Sequence, residues 1–215
     1  MSLKIVVIDY DIGNVRSIIN ALEKVNATPI LSRNKETIIN ADGVILPGVG
    51  AFPHAMQNLQ KYGLVEIIKS YVDTNKPLLG ICLGMQMLVD ESNEFGITQG
   101  LGLIEGKVIK LPVQNEEFEK LPHVSWNEIQ QKQLPWEGTI LDCIENKTDM
   151  YFVHSYIVVP QAGEHILSTT TYSDFEFCSA IKKNNVYGCQ FHPEKSADAG
   201  LKILENFAKI CKGDM

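Results

Sequence analysis

The sequence predicts an α/β fold, a doubly wound and mostly parallel sheet with helices on both faces and antiparallel hairpins added in the C-terminal half. As far as position 82, short apolar runs alternate with segments of helical periodicity. Apolar runs with little polar alternation are typical of strands covered on both faces, and the βα order implies right-handed crossovers. After Gly100 the segments are strand-like and several are separated by turn-rich stretches, which indicates hairpins.

The predicted elements can be placed in order. In the first half we expect strands at 3–8, 28–32, 43–48 and 77–82, with helices at 14–25 and near 53–73. In the second half the strand-like runs are LGLIEGKVIKL, MYFVHSYIVV, HILSTTTY, FCSAIKK and NVYGCQF. The tail has apolar residues at helical spacing, so we expect a closing helix with Ser196 and Asp198 as its caps.

Composition limits the class of protein. The chain has 215 residues, 45% hydrophobic and 21% charged, which predicts one domain spanning 1–215. No apolar run approaches the roughly 18 to 20 residues of a spanning helix, and the acidic start MSLKIVVIDYD is unlike a signal peptide, so we expect a soluble, cytoplasmic protein. The net charge of −7 argues against nucleic acid and anionic membranes as partners. Five scattered cysteines without a CxxC pair suggest neither a disulfide framework nor a zinc site.

One cysteine stands in a distinctive setting. Cys82 follows a short apolar run in Gly80-Ile81-Cys82-Leu83-Gly84, which is a G-x-C-x-G pattern. A nucleophile elbow needs this spacing, because the tight strand-to-helix turn leaves no room for side chains two residues either side of the nucleophile. The helix start favours a thiolate and can offer the Leu83 N–H to an oxyanion. A glycine-rich turn around a buried cysteine is the alternative interpretation.

The segment QFHPEKS supplies a base and an orienting group. His192 is followed by Pro193 and Glu194. If the segment is extended, positions 192 and 194 share a face, so the carboxylate can hold one ring nitrogen while the other addresses Cys82. The remaining histidines are expected to be surface or internally satisfied residues.

A third element is PGVG at 47–50, at the end of a predicted strand. Ligands of open α/β sheets collect at this end of the strands, and two glycines allow a close approach of the backbone. The pattern is not a phosphate-binding loop, since no G-K-[ST] or G-x-G-x-x-G occurs there. We expect a backbone N–H around Val49 to be a second oxyanion donor.

GICLGMQ and QFHPEKS in that order, with PGVG upstream, resemble the class I, triad-type glutamine amidotransferases over nearly the whole chain. Within that family, the chain most resembles the glutaminase subunits of imidazole glycerol phosphate synthases. The segments that carry this resemblance are DYDIGNVRS, LPHVSWN and YFVHSY. The resemblance implies a heterodimer with a (β/α)8-barrel cyclase. In that subfamily, ammonia from L-glutamine is used to form imidazole glycerol phosphate and an aminoimidazole carboxamide ribotide.

Two positions depart from the subfamily pattern. Asp11 and Ser125 stand where glycine is usual, and both are expected near the partner surface. A similar glutaminase serves sugar amidotransferases in bacterial surface-polysaccharide gene sets. The alternative is therefore a chain with the same chemistry that feeds a sugar synthase.

The resemblance also implies roles for particular residues. Cys82 attacks the carboxamide, His192 protonates the leaving ammonia, water cleaves the thioester, and no cofactor or metal takes part. By the family pattern, the glutamine pocket is lined by Gly50, Gln86, Glu94 and the backbone of His154, Ser155 and Tyr156. An aromatic and lysine cluster at the mouth of the ammonia route corresponds to Trp126, Tyr151 and Lys195, although these could equally be core or interface aromatics and a solvated lysine.

Two rival interpretations use the same segments. A cysteine hydrolase of related fold would replace Glu194 by Asp149 or Asp174, which precede His192 in the order nucleophile, acid, histidine. The second rival is a non-catalytic module that kept the fold after losing activity. The intact Cys82, His192 and Glu194 argue against this second rival.

Overall fold

The computed structural model describes residues 3–113 and 120–215, and its strands form one wide mixed sheet. In chain order, β1 to β13 are Lys4–Ile8, Thr28–Ser32, Gly43–Leu46, Leu78–Ile81, Glu91–Ser92, Thr98–Gln99, Gly106–Lys110, His123–Gln131, Thr148–His154, Tyr156–Pro160, Ile166–Tyr172, Phe175–Lys183 and Val186–Cys189. The helices α1 to α6 are Val15–Lys24, Lys35–Ile39, Phe52–Lys61, Leu64–Val72, Leu83–Met87 and Ala197–Lys212. Two 3-10 turns are Gly163–His165 and Pro193–Lys195.

The parallel part of the sheet has the order β2-β1-β3-β4-β13. Side chains of β1 alternate between two cores: Ile5 and Val7 pack with α1 and α6, whereas Val6 and Ile8 pack with α2 to α5. This alternation follows from the two-residue period of a strand, and it explains why β1 has no polar face. The predicted fold class, with helices on both faces, is confirmed.

Beyond β13 the strands pair antiparallel, except that β5 and β7 are parallel. β12 pairs with β13, and the order continues through β10, β7, β5 and β6, while β11, β8 and β9 form a branch from β12. The predicted hairpin β11–β12 turns at Ser173 and Asp174, which both have positive φ. The sequence did not predict β8, because its polar residues hide the alternation. β8 begins within the LPHVSWN motif, at His123, and pairs with β9.

Two predicted segments are divided in the structure. The helix expected near 53–73 breaks at Gly63, whose φ of 66° places it in the left-handed region that favours glycine. The run MYFVHSYIVV divides at Ser155 into β9, which pairs with β8, and β10, which pairs with β7 and β12. The Ser155 carbonyl oxygen accepts from the Leu111 N–H at 2.9 Å, and this junction borders the cavity described below.

The C-terminal helix α6 is present, and Ser196 occupies its N-cap position as predicted, but the Ser196 side chain does not cap the helix. The Ser196 hydroxyl makes no capping bond; it donates to the His192 carbonyl oxygen at 2.7 Å and accepts from the Tyr151 N–H at 3.0 Å. Ser196 therefore links α6 to the segment around His192. Asp198 lies in the first turn of α6. Within residues 3–113 and 120–215, no helix is long and apolar enough to cross a membrane.

Candidate active site

Cys82 lies between β4 and α5 in a backbone conformation with φ 53° and ψ −110°, which is strained for a residue with a side chain. Its N–H donates to the Cys189 carbonyl oxygen at 2.8 Å. A Cβ on Gly80 would lie 2.7 Å from the Gly84 carbonyl carbon, and one on Gly84 would lie 1.9 Å from the Leu46 carbonyl oxygen. The geometry is therefore the predicted elbow, and both glycines are needed for close packing. α5 has only five residues, so its helix dipole is small. The N–H groups of its first turn are therefore the main source of stabilisation for a negative charge on Cys82.

The PGVG segment packs directly on this elbow. A Cβ on Gly48 would lie 2.7 Å from the Gly84 nitrogen, so only glycine allows the approach. Gly50 has φ 93° and open space around its α-carbon. Val49 and Leu83, the predicted oxyanion donors, line the same cavity as Cys82.

His192 and Glu194 are hydrogen-bonded, with Nδ1 2.8 Å from Oε1. The segment is not extended as expected, because Pro193–Lys195 forms a 3-10 turn and the contact closes within that turn. A carboxylate can only accept, so the Nδ1 atom carries the proton. The same Glu194 oxygen accepts from the Asn14 amide at 3.4 Å, which ties the acid to the chain before α1.

The pKa of His192 reflects opposing effects. Burial lowers it, but the interactions with Cys82 and with the Glu194 carboxylate outweigh burial and raise the pKa to about 10. The Nε2 atom itself has no partner with hydrogen-bond geometry among the described residues, and the thiol of Cys82 is directed at the Val153 carbonyl oxygen, 3.8 Å from Sγ. His192 and Cys82 are therefore interacting neighbours without a hydrogen bond between them in this conformation.

Neither alternative acid is placed to orient His192. Asp149 is exposed on β9 and pairs across the ladder with Glu128. Asp174 is exposed in the turn between β11 and β12. The acid that contacts the imidazole in the structure is Glu194.

A cavity of about 490 Å³ opens beside Cys82 and His192. It is lined by the two predicted oxyanion residues, by every predicted glutamine contact and by one member of the predicted gate, namely Val49, Leu83, Gly50, Gln86, Glu94, His154, Ser155, Tyr156 and Lys195. The structure thus brings together residues that are up to 146 positions apart, from Val49 to Lys195. Pro122 and Val153 complete the lining.

Two polar side chains of the cavity are anchored by the protein. Glu94 Oε2 accepts from the Phe52 N–H at 2.7 Å, at the start of α3. The Gln86 amide nitrogen donates to the Tyr156 carbonyl oxygen and to Gln190 Oε1, both at 3.0 Å. Since both hydrogens of that amide are used inside the protein, only the Gln86 carbonyl oxygen is left to accept from a ligand.

Gln190 was missed by the sequence analysis. Its side chain is fully buried, and its Nε2 lies 3.6 Å from the Cys82 Sγ. A signal was present in the sequence, because Gln190 lies only two residues before the predicted base His192.

Two buried histidines form a hydrogen-bonded chain behind the cavity. His154 Nδ1 bonds the Tyr156 carbonyl oxygen at 3.0 Å, His154 Nε2 bonds His123 Nδ1 at 3.1 Å, and His123 Nε2 bonds Ser125 Oγ at 2.8 Å. Burial lowers the pKa of His123 to about 4, and burial together with the charge of His123 lowers the pKa of His154 to about 3. Both rings are neutral at pH 7, as expected for satisfied histidines.

The predicted gate residues are in contact. The Trp126 and Tyr151 rings are 6.0 Å apart edge to face, and the Lys195 ammonium is 5.6 Å from the Tyr151 ring centroid. Trp126 is half exposed on β8, whereas Lys195 lines the cavity. The cluster therefore joins the cavity to the outer face of β8.

The two unusual positions have different settings. Asp11 has φ 65°, which explains why glycine suits this position, and its carboxylate binds Arg33 and Tyr62. Ser125 ends the histidine chain. Within the described ranges, no group of three or more His, Cys, Asp or Glu side chains is arranged to hold a metal ion.

Comparison with known proteins gives concordant results. The family model described as "Glutamine amidotransferase class-I" matches residues 6–211. The chain is 44% identical over 208 residues to the "Imidazole glycerol phosphate synthase subunit HisH" of Aquifex aeolicus, covering 96% of this chain and 97% of that one. It is 41% identical over 210 residues to the protein of the same name from Geobacter sulfurreducens, covering 96% and 99%.

Solved structures of lower identity share the fold. A GMP synthase subunit from Thermoplasma acidophilum superposes with a TM-score of 0.72 at 19% identity, covering 100% of this chain and 96% of that one. PurLQS from Thermotoga maritima gives a TM-score of 0.72 at 18% identity, covering 96% and 98%.

Proposed function

The chain belongs to the class-I glutamine amidotransferase family, and we propose that it is the glutaminase subunit of an imidazole glycerol phosphate synthase in histidine biosynthesis. One structural observation carries the glutaminase proposal. A single cavity contains Cys82 on a strained elbow, the His192 ring held by Glu194, and the residues expected to bind glutamine. The relatives of 41 to 44% identity support the assignment to histidine biosynthesis.

In the proposed reaction, the Cys82 sulfur attacks the carboxamide carbon of glutamine. The C–N bond then breaks, and the proton on His192 Nε2 passes to the leaving nitrogen, which departs as ammonia. The raised pKa of His192, about 10, keeps this proton available at neutral pH. Water, activated by the now neutral imidazole, cleaves the thioester and releases glutamate.

The cavity offers groups for each part of the substrate. Glu94 has one carboxylate oxygen free of the Phe52 N–H, which suits the α-ammonium of glutamine. The N–H groups of Val49 and Leu83 are the proposed oxyanion donors. Each such donor contributes about 10²- to 10³-fold to kcat in enzymes of this kind.

We further propose that ammonia leaves past Lys195 and Tyr151 towards β8, where a (β/α)8-barrel cyclase binds to form a heterodimer. Val124 and Trp126 on β8 are each about half exposed, at 53% and 50% of their residue surface. Such exposure of large apolar side chains on one strand is typical of an interaction surface. A partner there would receive ammonia without its passing through solvent.

The test is glutamine hydrolysis by the full chain, alone and with the cyclase and its phosphoribulosyl-formimino ligand. We expect glutamate and imidazole glycerol phosphate in equal amounts from the complex, and neither from Cys82→Ala bound to the same partner. Glutamate formation at the parental rate by Cys82→Ala would exclude Cys82 as the nucleophile.

Other outcomes would select the alternatives. Hydrolysis of simple thioesters without glutamine turnover would indicate the cysteine hydrolase. Glutamine turnover that is coupled to a sugar synthase and not to the cyclase would indicate the polysaccharide role.

A further inference from the structure

We propose that Gln190 is a further catalytic residue, whose side-chain amide donates a hydrogen bond to the Cys82 sulfur and stabilises it as the nucleophile. This inference rests on the proposed function, since it concerns the same sulfur atom. It adds a group that neither the elbow motif nor the triad includes.

The contact is direct and buried. Gln190 Nε2 lies 3.6 Å from the Cys82 Sγ, a normal separation for an N–H donor and a sulfur acceptor, and the Gln190 side chain has no solvent exposure. Its backbone is held as well, because the Gln190 N–H donates to the Ser179 carbonyl oxygen at 2.9 Å. A buried amide held at both ends has little freedom to leave the sulfur.

The orientation of the amide follows from its neighbours. The Tyr156 carbonyl oxygen can only accept, so the atom of Gln86 that lies 3.0 Å from it must be the amide nitrogen. That nitrogen also lies 3.0 Å from Gln190, so the Gln190 atom facing it must be the carbonyl oxygen. The NH₂ group of Gln190 then necessarily faces Cys82, and the amide is a donor to sulfur.

The His154 ring reinforces this arrangement. Its Nδ1–H takes the second lone pair of the Tyr156 oxygen, at 3.0 Å, so that oxygen accepts two hydrogen bonds. The donor to Cys82 is thus the last group of a chain of hydrogen bonds that begins at Ser125.

A donor at this place acts mainly while the sulfur is negative. Hydrogen bonds to ionised acceptors are roughly twice as strong as neutral ones, whereas a thioester sulfur is a weak acceptor. Gln190 therefore favours the thiolate before attack and again when water releases it, and it exchanges no proton itself.

The experiment measures alkylation of Cys82 by iodoacetamide at pH 7 in the full chain, followed by mass spectrometry of the peptide containing Cys82. Gln190→Met keeps the length and burial of the side chain but has no donor. We expect its rate of Cys82 alkylation to fall about tenfold, which is about 1.4 kcal/mol. In the complex, kcat should fall by a similar factor with little change in KM.

Two further variants keep the test decisive. Gln190→Glu retains an oxygen for Gln86 but replaces the donor by a carboxylate, and it should slow alkylation at least as much as Gln190→Met. Asn206→Leu removes another buried amide, one that donates to the carbonyl oxygens of Ile140 and Asp142, and it should leave Cys82 alkylation unchanged.

Parental alkylation rates in a folded Gln190→Met or Gln190→Glu protein would overturn the inference, as would an equal slowing in Asn206→Leu. Urea unfolding establishes which variants are folded. Alkylation requires no glutamine turnover, so it tests Gln190 even if the parental complex fails to hydrolyse glutamine, an outcome that would count against the proposed function alone.

Discussion

The hydroxyl of Tyr10 donates a hydrogen bond to the carbonyl oxygen of Pro47 at 2.6 Å, deep in the molecule. Tyr10 follows β1, and Pro47 begins the PGVG segment that carries the proposed oxyanion donor Val49. Burial and the charge of Cys82 raise the pKa of Tyr10, so its hydroxyl stays protonated and remains a donor. Tyr10 therefore fixes the peptide at which the segment leaves β3.

We predict that Tyr10→Phe lowers kcat for glutamine hydrolysis about fivefold in the complex and leaves KM nearly unchanged. The basis is the loss of one hydrogen bond, worth about 1 kcal/mol, that holds the oxyanion segment. Tyr71→Phe is the matched control, because the buried Tyr71 hydroxyl also donates to a proline carbonyl oxygen, that of Pro77 at 3.1 Å, but Pro77 lies outside the PGVG segment. Equal effects of the two variants on kcat would contradict a positioning role for Tyr10.

A second prediction concerns the acid that orients His192. Glu194→Gln should reduce kcat less than His192→Ala, because an amide oxygen can still accept from Nδ1 but stabilises the imidazolium less. Asp149→Asn and Asp174→Asn should change kcat little, since both carboxylates are exposed. Steady-state ammonia release from glutamine measures all four variants. A large loss at either aspartate, with Glu194→Gln near the parental rate, would support the cysteine hydrolase instead.

The third prediction is the pH dependence of stability. In the folded protein the pKa values of His123 and His154 are lowered to about 4 and about 3. Below pH 6.5 the unfolded chain therefore binds more protons than the folded one. The free energy of unfolding falls as a result when the pH drops towards 3. The contribution of His192 to stability depends on pH in the opposite direction. Its pKa is raised to about 10, so its contribution is complete below pH 6.5 and is lost as the pH rises through 10.

Urea unfolding at several pH values measures these contributions. The variant His123→Phe keeps an aromatic ring against Phe152 and Tyr172 but removes one titrating group. Its free energy of unfolding should fall less steeply between pH 6 and 5 than that of the parent, by up to about 1.4 kcal/mol per pH unit. If the free energy of unfolding fell equally steeply between pH 6 and 5 in both proteins, His123 would not titrate as described.

The fourth prediction is that the isolated chain hydrolyses glutamine slowly and that the partner raises kcat more than it lowers KM. The motivation is Gly50, whose φ of 93° and open surroundings allow the adjacent peptide to adopt more than one orientation. A partner that binds only the aligned orientation can restore the roughly 10²- to 10³-fold effect of one oxyanion donor.

Gly50→Val should therefore weaken activation by the partner more than affinity for it, because it restricts the backbone without removing an interface side chain. Gly63→Val is the control, since Gly63 also has a positive φ, 66°, and a Cβ added there would meet nothing within 4 Å, but it lies between α3 and α4. Ammonia release against partner concentration separates activation from affinity. Full activity of the isolated chain, unchanged by the partner, would end the gating proposal.

The local features of this protein could be predicted from its sequence for a physical reason. The elbow requires glycine at two positions around Cys82, and the contact of His192 with Glu194 closes within one turn. Such constraints act over a few residues and are therefore visible in a short segment. The α/β class was predictable in the same way, since strands buried on both faces need continuous apolar runs.

Contacts between distant segments were decided only by the tertiary structure. The hydrogen bond of Tyr10 to Pro47, the chain from Ser125 to His154 and the amide of Gln190 at the Cys82 sulfur each join elements that meet only when the sheet is assembled. Their side chains have no local pattern, because a hydrogen bond between separate strands depends on register and packing, not on spacing along the chain. The sequence by itself thus determined the fold class and the proposed nucleophile, base and acid, whereas the folded arrangement decided what surrounds them.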